Sequence, residues 1–264
     1  MCDMKYYYPG DQFPAISVTG EYCALDCGHC QGHYLKCMIP AETGEILVET
    51  CRTLEDEGVT GCLISGGCDL SGRVPIPLEA VSKVREETNL VLNLHTGLVD
   101  KNTAEELERI DPYISFEVPT PFVLKNLYRL NLSQSDYFQS LLLLKELKVT
   151  PHVMVGLQKV EEIETLEKLE EMGVSSLVLI VFTPTRGTLL QSRNLDLEAV
   201  IETFETARDL FPRLILGCMR PRIKILEEKA PLFDGVVVPT LWAREKVEQS
   251  RVPVEIQETC CVIE

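Results

Sequence analysis

A strand-then-helix rhythm repeats eight times along this chain, and it limits the possible folds more than any other feature. Short apolar, β-branched runs read as buried parallel strands at 15–20, 61–65, 91–95, 113–118, 151–156, 176–182, 214–217 and 235–238. Segments with helical spacing lie between them, at 41–57, 77–87, 103–109, 135–147, 161–172 and 197–210. Two shorter ones fall around 223–229 and 243–250. Pro77 suits a first helical turn, and Gly58 and Gly173 follow a last one. Alternation of this kind implies a parallel sheet with right-handed crossovers, and eight units imply a closed (β/α)8 barrel of α/β class. A doubly wound open sheet is the alternative, with fewer strands. In a barrel the chemistry sits on loops after the strands' C-terminal ends.

The 264 residues fit one such barrel, expected over 1–250, with a tail over 251–264. Hydrophobic residues are 45% and charged residues 25%, the balance of a globular protein with a large core. The opening residues carry no basic start followed by an apolar run, and no apolar run is long enough to span a bilayer, so a cytoplasmic protein is expected. A net charge of −16 argues against general binding to nucleic acid or anionic membranes. Eleven cysteines in a reducing compartment point to metal or redox chemistry rather than disulfides.

Three of those cysteines, Cys23, Cys27 and Cys30, follow the first strand in the spacing C-x3-C-x2-C. A tight loop with all three sulfurs inward can hold three irons of a [4Fe–4S] cube and leave the fourth open to a chelating cofactor. Cys27-Gly-His-Cys30 alone also matches a dithiol oxidoreductase motif, but that motif belongs to a thioredoxin-like fold. A zinc site on the three cysteines and a histidine lacks the usual pair of ligand knuckles. Inert structural cysteines do not concentrate in one polar, glycine-containing loop.

This loop after a barrel's first strand resembles the signature of the radical S-adenosylmethionine (SAM) superfamily. The resemblance implies that the open iron binds SAM and that one electron cleaves it to a 5′-deoxyadenosyl radical, which takes a hydrogen atom from substrate. His29 stands where the family usually has an aromatic residue. Ser65-Gly66-Gly67, after the second strand, resembles the family's glycine loop at the SAM amino group, with Cys68-Asp69 in place of its usual acidic residue. Asn93, His95, Glu117 and Gly156 end strands three, four and five, where the family places ribose, carboxylate and adenine contacts.

Cys68 and Cys218 follow strands two and seven, and Cys260 and Cys261 are adjacent in the tail. Eleven extended residues reach at most roughly 35–40 Å, enough to return the tail to the catalytic face. These four sulfurs are the expected ligands of a second, auxiliary [4Fe–4S] cluster. Cys2, Cys51 and Cys62 read as structural or incidental, and Cys37 lies off the site.

Taken with Ile64-Ser-Gly-Gly-Cys68-Asp, Gly217-Cys-Met-Arg-Pro-Arg222 and Glu258-Thr-Cys-Cys261, the first motif is similar to biotin-synthase-like proteins of archaeal type. Those include one half of the two-protein archaeal lipoyl synthase. That resemblance implies sulfur insertion into octanoyl-lysine on a lipoyl carrier protein, with the auxiliary cluster as sulfur donor. It further implies a second radical SAM subunit and a low-potential electron donor. A biotin-synthase-like enzyme of another reaction class, with a single cluster, is the alternative. Arg220 and Arg222, at the mouth, are expected either to meet an anionic group or to form structural ion pairs.

Overall fold

In a computed structural model, residues 4–263 are described; Cys2 lies outside them. Eleven strands form one all-parallel sheet among the described residues. They are β1 (Met4–Tyr7), β2 (Ala15–Ser17), β3 (Ile39–Pro40), β4 (Gly61–Ser65), β5 (Val91–His95), β6 (Tyr113–Glu117), β7 (Lys148–Val155), β8 (Ser176–Val181), β9 (Arg213–Leu216), β10 (Gly235–Val237) and β11 (Val254–Gln257). The order is β11-β1-β10-β9-β8-β7-β6-β5-β4-β2-β3.

The eight expected barrel strands are β2 and β4 to β10, each within a few residues of its predicted span. The α/β barrel-type fold is therefore as expected, with a strand count of eleven instead of eight. The three additions sit at the sheet's ends and carry weak signals. β3 is two residues long, and β11, Val-Glu-Ile-Gln, is largely exposed. No ladder joins β3 to β11, so the sheet is a curled half-barrel whose seam is not closed by hydrogen bonds.

Alternation along each strand divides the residues between two environments. Leu92, Leu94, Ile114, Phe116 and Val153 face the helices and belong to the main core. Asn93, His95, Ser115, Glu117, Thr150 and His152 take the alternate positions and face the barrel's interior. The helices start where a side chain satisfies free N–H groups. Thr43, Asp100, Asp196 and Thr240 each accept a backbone N–H of the first turn of the helix they precede. These caps end the loops on the face where the strands terminate, and so fix how far each loop reaches over the mouth.

Candidate active site at the barrel mouth

The cysteine loop is anchored on both sides. Ala24 donates its N–H to the Cys68 carbonyl at 2.9 Å, and Gly67 N–H donates to Thr19 Oγ1 at 2.7 Å. On the other side Leu190 N–H donates to the Gly28 carbonyl, Leu189 N–H to Gln31 Oε1, and the Tyr34 hydroxyl bonds Thr185 Oγ1. Within the loop Asp26 and Gln31 adopt positive φ, at 41° and 45°. For non-glycine residues that costs of order 1–3 kcal/mol each, and such strain collects at functional sites.

Ligand atoms of Cys27, His29 and Cys30 lie within 4.8 Å of one another. A hydrogen bond from Cys27 is the main cause holding the Cys30 thiol down at about 4; burial opposes it and His29 assists. The same bond and burial push Cys27 well up. The Cys23 thiol points toward the Cys68 carbonyl at 3.8 Å, and its charge is felt at Cys27. A thiolate beside two further cysteines is a donor set suited to iron–sulfur or zinc binding. Nδ1 of His29 is buried with no hydrogen-bond partner among the described residues, which adds a nitrogen ligand atom to that set.

The glycine pair packs against this loop. A Cβ at Gly67 would meet the Tyr22 carbonyl oxygen at 2.1 Å and the Cys23 Cα at 2.5 Å. Ser65 reaches His95, with 3.2 Å between Oγ and Nδ1. Glu117 accepts a very short hydrogen bond from the Tyr128 hydroxyl, and the Tyr128 ring lies 6.0 Å from that of His29. Glu117 also lies within electrostatic reach of Cys27, Cys68 and His95. Gly156 has a packing reason of its own: its φ is +96°, and a Cβ there would strike Leu195 at 2.5 Å.

Four residues of this region escaped the sequence reading. His152 sits opposite Glu117 in the β6–β7 register, and Thr150 and Ser115 pair one step below. Burial lowers His152 to about 4 and lowers His95 too, so both imidazoles are neutral near pH 7. Period-2 alternation along 148–155 was the available signal for His152. Tyr128 had none, because it lies on a π turn, Leu124–Tyr128, eleven residues beyond Glu117.

The tail first adds β11 beside β1, then turns into the barrel. Cys261 and Val262 pack there against Tyr7, Val178, Ile215 and Val237. Asn93 Nδ2 contacts Cys260 Sγ at 3.3 Å, and Arg213 donates to the Cys261 carbonyl at 3.0 Å. A hydrogen bond from Cys261 holds Cys260 at about 7. Cys218 lies at the mouth within electrostatic reach of both. Of the four cysteines expected to act together, Cys218, Cys260 and Cys261 feel one another's charge, and Cys68 lies beside Cys23. Cys51 and Cys62 are buried neighbours between helix Gly44–Asp56 and β4, and Cys37 is exposed. Arg220 proves to be a structural residue: its buried guanidinium pairs with Glu227 at 2.6 Å and donates to the carbonyls of Gly217 and Val237.

No family model matches the sequence. The chain is 30% identical to the biotin synthase of Methanocaldococcus jannaschii over 66% of its own length and 60% of that relative's, so it spans less than two thirds of that protein. Its fold matches methylornithine synthase (PylB), with a TM-score of 0.62, 18% identity, and coverage of 91% of this chain and 73% of that one. It also matches Streptococcus suis SuiB bound to S-adenosylmethionine, with a TM-score of 0.56, 18% identity and coverage of 75% and 48%. SuiB bound to precursor peptide SuiA matches with a TM-score of 0.55, 14% identity and coverage of 94% and 52%. The likeness to these solved structures is one of fold. The similarity in sequence runs toward biotin synthase. No helix among the described residues is long and apolar enough to cross a membrane.

Proposed function

We propose that this chain is a sulfur-inserting radical SAM enzyme that acts on an acyl chain carried by a protein, as one component of a lipoyl synthase. The observation that carries the sulfur-insertion step is the seating of Cys260 and Cys261 inside the barrel, beside Asn93 and within electrostatic reach of Cys218. A plain tail has no need of a vicinal thiol pair in the interior of a barrel.

Cys23, Cys27 and Cys30 would hold the first [4Fe–4S] cluster. When bound, that cluster and SAM supply a one-electron cleavage that yields a radical able to take a hydrogen atom from an unactivated carbon. The residues around it bind and orient. The backbone at Ser65, Gly66 and Gly67 approaches a ligand closely, and Glu117, held by Tyr128, offers a fixed acceptor for sugar hydroxyls. Asn93, His95 and Gly156 complete the proposed SAM contacts. His95 and His152, both lowered by burial, add polar but uncharged groups beside Glu117. Cys218, Cys260 and Cys261, with Cys68 a fourth candidate, would hold the second cluster as sulfur source. The carrier protein with its octanoyl-lysine, a second radical SAM subunit and a low-potential electron donor are the proposed partners; the peptide-bound SuiB structure lends support to a protein-borne substrate.

The nearness of His29 to Cys27 and Cys30 favours one second reading, a single zinc ion on three thiolates and an imidazole. Metal analysis separates the two. After anaerobic reconstitution the chain is expected to hold about eight irons and eight sulfides, the content of two [4Fe–4S] clusters. Joint replacement of Cys23, Cys27 and Cys30 by alanine should remove half of that iron and all SAM cleavage. Replacing Cys260 and Cys261 should spare SAM cleavage and stop sulfur transfer. About four irons would leave the chemistry without its sulfur source, and one tightly bound zinc would sink the proposal altogether.

A further inference from the structure

The chain is strongly acidic, yet one arc of its mouth is not. The loops after β6, β7, β8 and β9 are neighbours, because those strands are adjacent in the sheet. They comprise residues 118–133, 156–158, 182–196 and 217–223. Besides the buried Arg220, these loops carry Lys125, Arg129, Arg186, Arg193 and Arg222, against a single acid, Asp196, which caps helix Leu197–Leu210. The whole chain, by contrast, has 41 acids to 25 bases.

Lys125, Arg129 and Arg186 are exposed, and none has an ion-pair partner among the described residues. Arg193 stacks over the Phe122 ring at 5.2 Å and braces the loop by donating to the Leu157 carbonyl. The opposite arc, after β2, β4 and β5, bears Glu21, Asp26, Asp69 and Asp100 against Lys36 and Arg73, with Arg73 taken up by Asp100 at 2.7 Å. The mouth therefore has a cationic side and an anionic side. Apolar side chains stand out on the same face: Leu189 is 65% exposed in the cationic arc, and Leu241 is 66% exposed at the neighbouring end of β10.

We propose that this cationic arc docks the acidic face of a folded protein domain, so that the domain's modified side chain enters the barrel beside it. The inference rests on the reading that the substrate is borne by a protein, and it adds where that protein sits and what charge it presents. Complementary charge speeds encounter and fixes orientation, and the anionic arc opposite disfavours the reversed pose. A nucleic acid is the other polyanion to weigh. Its charge recurs every ~1.7 Å of helix axis, so a duplex laid on the cationic arc would run onto the anionic one. Exposed leucines are also of more use to a protein partner than to a phosphate backbone.

The experiment measures binding of an octanoylated lipoyl carrier domain to the iron-loaded chain by fluorescence anisotropy, across a salt series. The triple variant Lys125→Glu, Arg129→Asn and Arg186→Glu is compared with wild type; asparagine is chosen because residue 129 has φ 55°. Wild type should lose affinity steeply with salt. The variant should bind at least about tenfold more weakly, with a flatter salt slope, and should retain its iron and its SAM cleavage without carrier. Equal binding by the variant overturns the surface, as does a variant that loses an RNA duplex rather than the carrier. Arc-dependent binding without any sulfur transfer keeps the surface and removes the proposed chemistry. Sulfur transfer at unchanged KM in the variant does the reverse.

Discussion

Replacing Gly67 with alanine is expected to cost the chain its iron while leaving the rest of the fold standing. The new methyl would lie 2.1 Å from the Tyr22 carbonyl oxygen and within 2.6 Å of both Cα and Cβ of Cys23. All three belong to the stretch that enters the cysteine loop, and two are backbone atoms that cannot swing aside. Overpacking of this kind costs about 1–3 kcal/mol and is relieved by backbone shifts. Here the segment free to shift is the one that positions the first cysteine. Gly28→Ala is the control. It lies inside the same loop, but its added methyl meets Leu189 at 3.7 Å, an ordinary contact. Iron per chain after anaerobic reconstitution should fall severalfold in Gly67→Ala and hold in Gly28→Ala, with similar urea midpoints. Full iron in Gly67→Ala would mean that Cys23 is not a ligand or that its loop is looser than the packing implies.

The largest stability effect is expected at Glu227. Its carboxylate is fully buried and pairs with Arg220 at 2.6 Å and Arg222 at 3.6 Å, and it also accepts Thr240 N–H. Removing one partner of a buried pair costs about 3–5 kcal/mol because the other charge stays buried. For a chain of this size Glu227→Ala should therefore lower Tm by roughly 6–20 °C. The double variant Arg220→Met with Glu227→Leu should recover much of the loss, since no orphaned charge remains. Acid dependence follows from the same pair. Burial pushes the Glu227 carboxyl up, but the hydrogen bond and charge of Arg220 outweigh it, so the group sits below its ordinary value of 4.5. A carboxyl lowered on folding adds stability above its unfolded value and loses it as pH falls through its folded one. Wild-type stability should thus decline below about pH 4.5 with a component that Glu227→Gln lacks. Identical acid slopes for the two would show that the pair carries no pH-linked stability.

Strands were the most legible part of the sequence. A strand buried on both faces reads as an apolar, β-branched run whatever surrounds it, so β4 and β5 match their predicted bounds. β1 and β11 were invisible because each is defined by its neighbours: one is the four residues Met-Lys-Tyr-Tyr, and the other is mostly exposed. The cysteine loop was legible from spacing alone, and strand-end position drew attention to Asn93, His95 and Glu117. That Cys260 and Cys261 pack beside Asn93 and Tyr7 was not legible, because it depends on which way the tail turns after β11. That turn is set by packing on Tyr7, Val178 and Ile215, which lie far away in sequence. Arg220 was left between two roles for a similar reason. Its partner is seven residues on, beyond the turn that leads into helix Lys224–Glu227, and no periodic rule joins them.

The pairing of β1 with β10 and β11 bears on how the chain is made. Lys5 finds its ladder partners at Gly235 and Glu255, so β1 is translated well over two hundred residues ahead of either strand it pairs with. At about 5–20 residues per second that delay is on the order of 10–50 s. Throughout it, Tyr6 and Tyr7 and both backbone edges of β1 are open to any other extended segment. A nascent chain of this design therefore depends on shielding β1 until β10 and β11 have been translated.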